Sequence, residues 1–193
     1  MTASPLKIIY GEKTVIGTYP LLSDETCWFL AIDFDGEEWQ KDISTIRKVC
    51  SAFAISVAVE RSRSGNGAHV WFFFEKPAAA STARKFGSAL LTYAMNKRHE
   101  ITFKSYDRFF PNQDTMPKGG FGNLIALPLQ KDARKKGNTV FIDEYFMPFS
   151  DQWAFLSSID RLSPGKIEFF TEQLTQGNEL GILNTDFHGT NHA

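Results

Sequence analysis

Cysteine is scarce in this chain of 193 residues: there are two, Cys27 and Cys50, with no C-x-x-C pair. A cysteine-built zinc ribbon or dithiol redox motif is therefore excluded. A chain of this length buries roughly 70% of its unfolded surface and needs no disulfide staple. The two thiols read as reduced, buried groups of a cytoplasmic protein. Long apolar runs are also missing. Runs such as Val70 to Phe74 fall far short of the ~18 residues of a membrane span. The N-terminus lacks a charged-then-apolar leader, and no membrane partner is expected. Histidine is limited to His69, His99, His188 and His192. The last two have H-x-x-x-H spacing in a Gly/Asn-rich stretch without cysteines, and read as tail rather than metal site. There is no Walker A sequence, which argues against an NTPase of that class.

Net charge is nearly absent too. The total of −1 excludes binding to nucleic acid by indiscriminate basicity. The total hides a strong partition, however. Residues 1–60 carry 5 basic and 9 acidic side chains, residues 61–136 carry 14 and 5, and residues 137–193 carry 2 and 8. A basic middle third between acidic flanks suggests one localised basic surface. Hydrophobic residues at 42% and charged residues at 22% are ordinary for a folded domain. The length fits a single domain over residues 1–193.

Periodicity supplies the elements. A short strand is expected at 14–17, and a strand buried on both faces at 28–35 (Trp-Phe-Leu-Ala-Ile-Asp-Phe-Asp). Gly36 opens a helix whose apolar face is Trp39, Ile43, Ile46, Cys50 and Phe53. Strands follow at 55–60 and 68–75. The Asn66-Gly67 pair between them is a strong hairpin signal. Pro77 starts a second helix bearing Ala83, Phe86, Leu90 and Ala94, ending near Lys97-Arg98. Extended segments at 101–110, 123–127 and 139–142, an exposed basic loop at 131–136, and helices near 152–159 and 164–174 complete the chain. From Trp28 the order strand, helix, strand, strand, helix, strand predicts an α+β fold. It is an RRM-like (split βαβ) core over about 28–128, with an additional small α/β subdomain. That topology brings together the end of the first strand, the start of the third, the hairpin between the second and third, and the start of the fourth.

The residues at that edge carry chemistry. Asp33 and Asp35 are two apart on a strand, so both carboxylates share a face. Their mutual repulsion is relieved by a divalent cation, and oxygen ligands suit Mg²⁺ or Mn²⁺. Asp107 near the start of the fourth strand completes a set for two ions, as phosphoryl transfer uses. Glycines at 65 and 67 let hairpin amides form an anion nest. Arg61 and Arg63 add charge, Ser64 a hydroxyl, and His69 emerges beside the acids. Each motif alone also has a plain structural reading, as a solvated acid pair or a simple hairpin with exposed arginines.

Taken together, these residues resemble the archaeo-eukaryotic primase superfamily, the primase–polymerases. The match lies in Ile32-Asp33-Phe34-Asp35, in Ser64-Gly65-Asn66-Gly67-Ala68-His69-Val70-Trp71, and in a later acid. The stretch Ser105 to Asp114, the run Lys118-Gly119-Gly120-Phe121-Gly122-Asn123-Leu124-Ile125-Ala126-Leu127-Pro128-Leu129 and Tyr19-Pro20-Leu21-Leu22 look like the primase domain of TOTE conflict systems over about residues 16–160. In such systems the domain is typically fused to a helicase and a nuclease. The resemblance implies that Asp33, Asp35 and Asp107 bind two Mg²⁺ or Mn²⁺ ions, and that Ser64, Gly65, Asn66, Gly67 and His69 bind an incoming NTP or dNTP. Ala126 stands where related families carry a phosphate-contacting arginine, so Arg63, Arg108 or Lys118 is expected to substitute. Asp114 competes with Asp107 for the third acid; Asp107 is favoured because it precedes the later strand at the acid-bearing edge.

The expected activity is therefore template-directed nucleotidyl transfer to a 3′-OH on single-stranded DNA or a primer–template. The strand would track Lys97, Arg98, Lys104 or Lys131–Lys136, with exposed aromatics stacking bases. A non-catalytic RRM-like binder would instead need aromatics where Asp33 and Asp35 stand. Two more readings share these residues: an idle domain that positions a helicase, and a phosphohydrolase using the same acids.

Overall fold

The computed structural model describes residues 15–96, 104–116 and 118–176. The expectations for Thr14, Lys97, Arg98, His99, residues 101–103, His188 and His192 lie outside the described residues. In chain order the elements are β1 (Gly17–Thr18), β2 (Thr26–Asp35), α1 (Trp39–Ala52), β3 (Ala58–Arg61), β4 (Gly67–Ala79) and α2 (Ala80–Asn96). They continue with β5 (Tyr106–Phe110), β6 (Ile125–Ala126), α3 (Lys131–Arg134), α4 (Gln152–Ser158) and α5 (Pro164–Thr175). The fold is α+β. Four strands form one antiparallel sheet in the order β3-β4-β2-β5, and β1 pairs with β6 in a separate two-stranded sheet.

Strand alternation builds two apolar layers. On one face, Leu30, Ile32 and Phe34 of β2 and Val70, Phe72 and Phe74 of β4 meet helices α1, α2 and α5 through Ile43, Ile46, Phe86, Leu90, Ile167 and Leu174. On the other face, Ala31, Ala58, Trp71 and Phe110 lie beneath Ile125, Phe141, Phe149 and Phe155. Residues 30–32 have no exposed surface, as the uninterrupted apolar run of β2 predicts. Among the described residues no helix is long and apolar enough to cross a membrane.

Several boundaries depart from expectation. The second helix starts at Ala80, not Pro77, because β4 continues through Pro77 to pair Ala78 and Ala79 with Cys27 and Thr26. The register shifts between Cys27 and Phe29, and Pro77 falls in that irregularity, where no ladder donor is needed. The basic stretch at 131–136 contains one helical turn, α3, rather than being loop throughout. Segment 139–142 runs along the free side of β3: Arg61 N–H donates to Val140 O (2.9 Å), Thr139 N–H to Arg61 O (2.8 Å) and Ile142 N–H to Val59 O (2.9 Å).

Candidate active site

The acid-bearing end of β2 is fastened to both of its neighbours. Asp33 lies opposite His69, and Asp35 opposite Gly67, in the β2–β4 ladder. On the other side Phe34 pairs with Tyr106, and Asp35 N–H donates to Ser105 O (2.6 Å). The Ser105 hydroxyl donates in turn to the buried carboxylate of Asp42 on α1, which holds the entry to β5 in place. Gly36 N–H donates to Asn66 O (3.1 Å), joining the hairpin tip to the same corner.

The result is a carboxylate cluster. One oxygen each from Asp33, Asp35 and Asp107 lies within 4.8 Å of the others. Asp33 is largely enclosed, while Asp35 and Asp107 are exposed. Arg108 Nε donates to Asp107 Oδ2 at 2.7 Å, placing a cation beside the acids. Burial pushes the Asp33 carboxyl up to about 6; Asp35 and Asp107 push the same way, against His69 and Arg108. Three oxygen donors at this spacing, one of them raised mainly by burial, fit a hard divalent cation. An ion must displace the Asp33 proton below that value. The apparent Mn²⁺ affinity is therefore expected to depend on pH through the Asp33 carboxyl. Below about pH 6 it should weaken by up to ~10-fold per unit for each proton displaced. Calorimetric titration from pH 5 to 7.5 measures this, and an affinity independent of pH across that range contradicts it.

His69 sits at the centre of a chain of carboxylates. Its Nε2 lies 3.4 Å from Asp33 Oδ1, and its Nδ1 lies 3.1 Å from Glu60 Oε2. Burial opposes charge on the ring, but the hydrogen bond and charge of Glu60, with Asp33 and Asp35, outweigh it and hold the imidazole above its ordinary value.

The hairpin differs in detail from the Asn-Gly turn expected. Ser62 N–H donates to Gly67 O (2.9 Å) and Gly65 N–H to Ser62 O (3.0 Å), so the loop spans residues 63–66. The left-handed residue is Gly65 (φ 82°). Gly67 belongs to β4 and serves another purpose: a methyl group there would run into the Phe34 carbonyl and the Asp35 carboxylate. The expected nest is not formed by the amides of residues 65 and 66, because Asn66 N–H is taken by Ser64 Oγ (3.2 Å) and that of Gly65 by Ser62. The exposed Arg63 side chain and the Ser64 hydroxyl remain on the loop surface. Contacts not foreseen from sequence brace it. Arg61 donates to Gly137 O (3.2 Å) and Phe146 O (2.6 Å), and Asn138 Nδ2 donates to Arg63 O (3.1 Å).

Asp33, Asp35, Asp107, Arg108 and His69 thus converge, with the 62–67 hairpin at their side. Asp114 does not join them; it pairs with Arg84 of α2. Lys118 is exposed in the loop after β5, and no contact among the described residues links it to the acids. Glu60 was invisible as a site residue because it ends the apolar run of β3. The available signal was the hairpin register, which sets Glu60 opposite His69.

This sheet, with carboxylates and a histidine at one end and apolar layers on both faces, defines an α+β domain with a candidate divalent-cation centre. Residues 6–170 match the family model described as the TOTE conflict system, Archaeo-Eukaryotic Primase domain. The chain belongs to that family, and is a primase-like domain of a conflict system. No curated protein matches it.

Proposed function

We propose that the chain is a metal-dependent primase–polymerase that adds nucleotides to a 3′-OH on a nucleic-acid template, within a mobile-element or conflict system. The observation that carries this reading is the convergence of Asp33, Asp35 and Asp107 within 4.8 Å, beside His69 and Arg108. The four-stranded sheet acts as an RRM-like palm in one catalytic domain. Asp33, Asp35 and Asp107 hold Mg²⁺ or Mn²⁺, which when bound offset the charge of the triphosphate and favour the ionised 3′-OH. Arg63, Ser64 and His69 face the triphosphate with Arg108, and Lys118 approaches from the later loop. The 3′-OH gives its proton to solvent, its oxygen attacks the α-phosphorus, the bond to the β-phosphate oxygen breaks, and pyrophosphate leaves. The basic middle third carries the single-stranded template, and a helicase and nuclease act alongside.

The rival reading as a base-stacking RRM-like module has less support. The sheet face that such a module leaves open is covered here by Phe141, Phe149 and Phe155, with Trp71 only 2% exposed.

Primer extension with Mn²⁺ and with Mg²⁺ tests the proposal. The wild type is expected to add nucleotides, Asp33→Ala with Asp35→Ala to add none, and Asp114→Ala to stay within about threefold of wild type, since Asp114 is spent on Arg84. A wild-type protein that extends nothing sinks the polymerase reading. A double variant as active as wild type sinks the site assignment.

A further inference from the structure

We propose that Glu60 is a positioning residue: it holds the His69 imidazole with Nδ1 turned into the protein and Nε2 turned to the acid cluster, so that an incoming triphosphate meets one face of the histidine only. The functional half of this inference rests on the nucleotidyltransferase reading above.

The geometry is built by strand pairing. Glu60 and His69 stand directly opposite each other in the β3–β4 ladder, and Trp71 follows two residues later on the same face. Glu60 is 1% exposed. One oxygen, Oε2, accepts both from His69 Nδ1 (3.1 Å) and from Trp71 Nε1 (3.0 Å). The backbone bridge from Phe141 lies alongside Glu60 and helps close it off. The rings of Trp71 and Phe110 stand edge-on to the imidazole at centroid distances of 6.1 and 6.4 Å, limiting its rotation.

A carboxylate is a costly means of satisfying one indole N–H, because burial opposes its ionised form and pushes the Glu60 carboxyl up. Here the same oxygen also takes the imidazole proton. An acceptor fixed on Nδ1 specifies the Nδ1–H form and presents Nε2 outward, and this holds whether or not Nε2 carries a proton as well. Without Glu60 the Nδ1 side of the ring loses the acceptor that fixes its tautomer.

Long-range ¹H–¹⁵N spectra of His69, together with nucleotide KM and kcat, test this on the wild type, Glu60→Gln, Glu60→Ala, His69→Ala and the Glu60→Ala/His69→Ala pair. The wild type is expected to show Nδ1–H. Glu60→Gln keeps an acceptor oxygen, so it should keep that signature and a KM within about threefold. Glu60→Ala should lose the signature and raise KM by on the order of 10-fold or more, with a smaller change in kcat. The double variant should be no worse than His69→Ala alone. A wild-type spectrum with Nδ1 bare overturns the proposal without recourse to any variant that might not fold. So does an unchanged His69 spectrum in Glu60→Ala, or a double-variant loss equal to the product of the single losses. If the spectra behave as expected but the wild type binds no nucleotide, the positioning stands and the nucleotidyltransferase reading fails.

Discussion

Asp33→Asn is expected to make the ion-free protein more stable at pH 7 by about 1–3 kcal/mol, while lowering primer extension at least ~10³-fold, roughly 4 kcal/mol of barrier. The first effect follows from the raised carboxyl. An ordinary aspartate titrates near 3.8, and burial moves Asp33 to about 6. Below pH 3.8 the folded and unfolded chains both hold the proton and the group contributes no penalty. Between those values the folded state keeps a proton that the unfolded state has released, so stability falls as pH rises through the window. Above about 6 the whole cost is felt, and asparagine removes it at nearly equal volume. The stability gap between the variant and wild type, from urea melts in EDTA, should therefore open between about pH 4 and 6.5. A gap that does not change with pH would falsify the raised carboxyl. Added Mn²⁺ should narrow or reverse the gap, because the ion stabilises only the state that binds it. Opposite signs for stability and turnover distinguish a functional acid from one that merely supports the fold.

Gly67→Ala carries the second large effect. The added methyl meets the Phe34 carbonyl and the Asp35 side chain. Neither moves freely, because Asp35 N–H is bonded to Ser105 and Gly36 N–H to Asn66. Overfilling a tight contact typically costs about 1–3 kcal/mol, and relief here would push Asp35 away from Asp33 and Asp107. A lower denaturation midpoint and weaker Mn²⁺ binding should appear together. Gly165→Ala in α5 is the control: nothing lies within 4 Å of its added carbon. A helical Gly→Ala change typically stabilises by up to about 1 kcal/mol. Equal Mn²⁺ affinities in the two variants would show that the approach at Gly67 does not set the acid geometry.

What is legible in the sequence is what depends on neighbours along the chain. The double-sided apolar run at 28–35 and the three-and-four spacing from Trp39 to Cys50 mark β2 and α1 almost to their ends. The pairing of acids at 33 and 35 with His69 follows once the strand order is assigned. What stays hidden depends on partners distant in sequence. The choice of Asp107 over Asp114 turns on the β2–β5 register, shifted between Ile32 and Phe34, and on Arg84 reaching Asp114. The extension of β4 through Pro77 turns on a bulge opposite Trp28 that leaves no periodic trace. The occupied amides of the hairpin turn on the Ser64 hydroxyl folding back onto Asn66. Glu60 reads as the polar end of an apolar strand until the strand opposite it is known.

The strip of backbone at 139–142 alongside β3 also bears on how the chain can be divided. Cut before it, β3 would present the backbone groups of Val59 and Arg61 unpaired to solvent, a flat seam on which another copy can add its own strand. The same cut would uncover Trp71 and remove the wall beside Glu60. Removing α5 would in addition bare the Phe74 and Phe86 side of the sheet, where Ile167 and Leu174 lie. The stretch from Trp28 to Pro128 bears the acids, the hairpin and the histidine, yet it would make a sticky fragment. The shortest piece with the seam sealed and both faces clothed reaches Leu174.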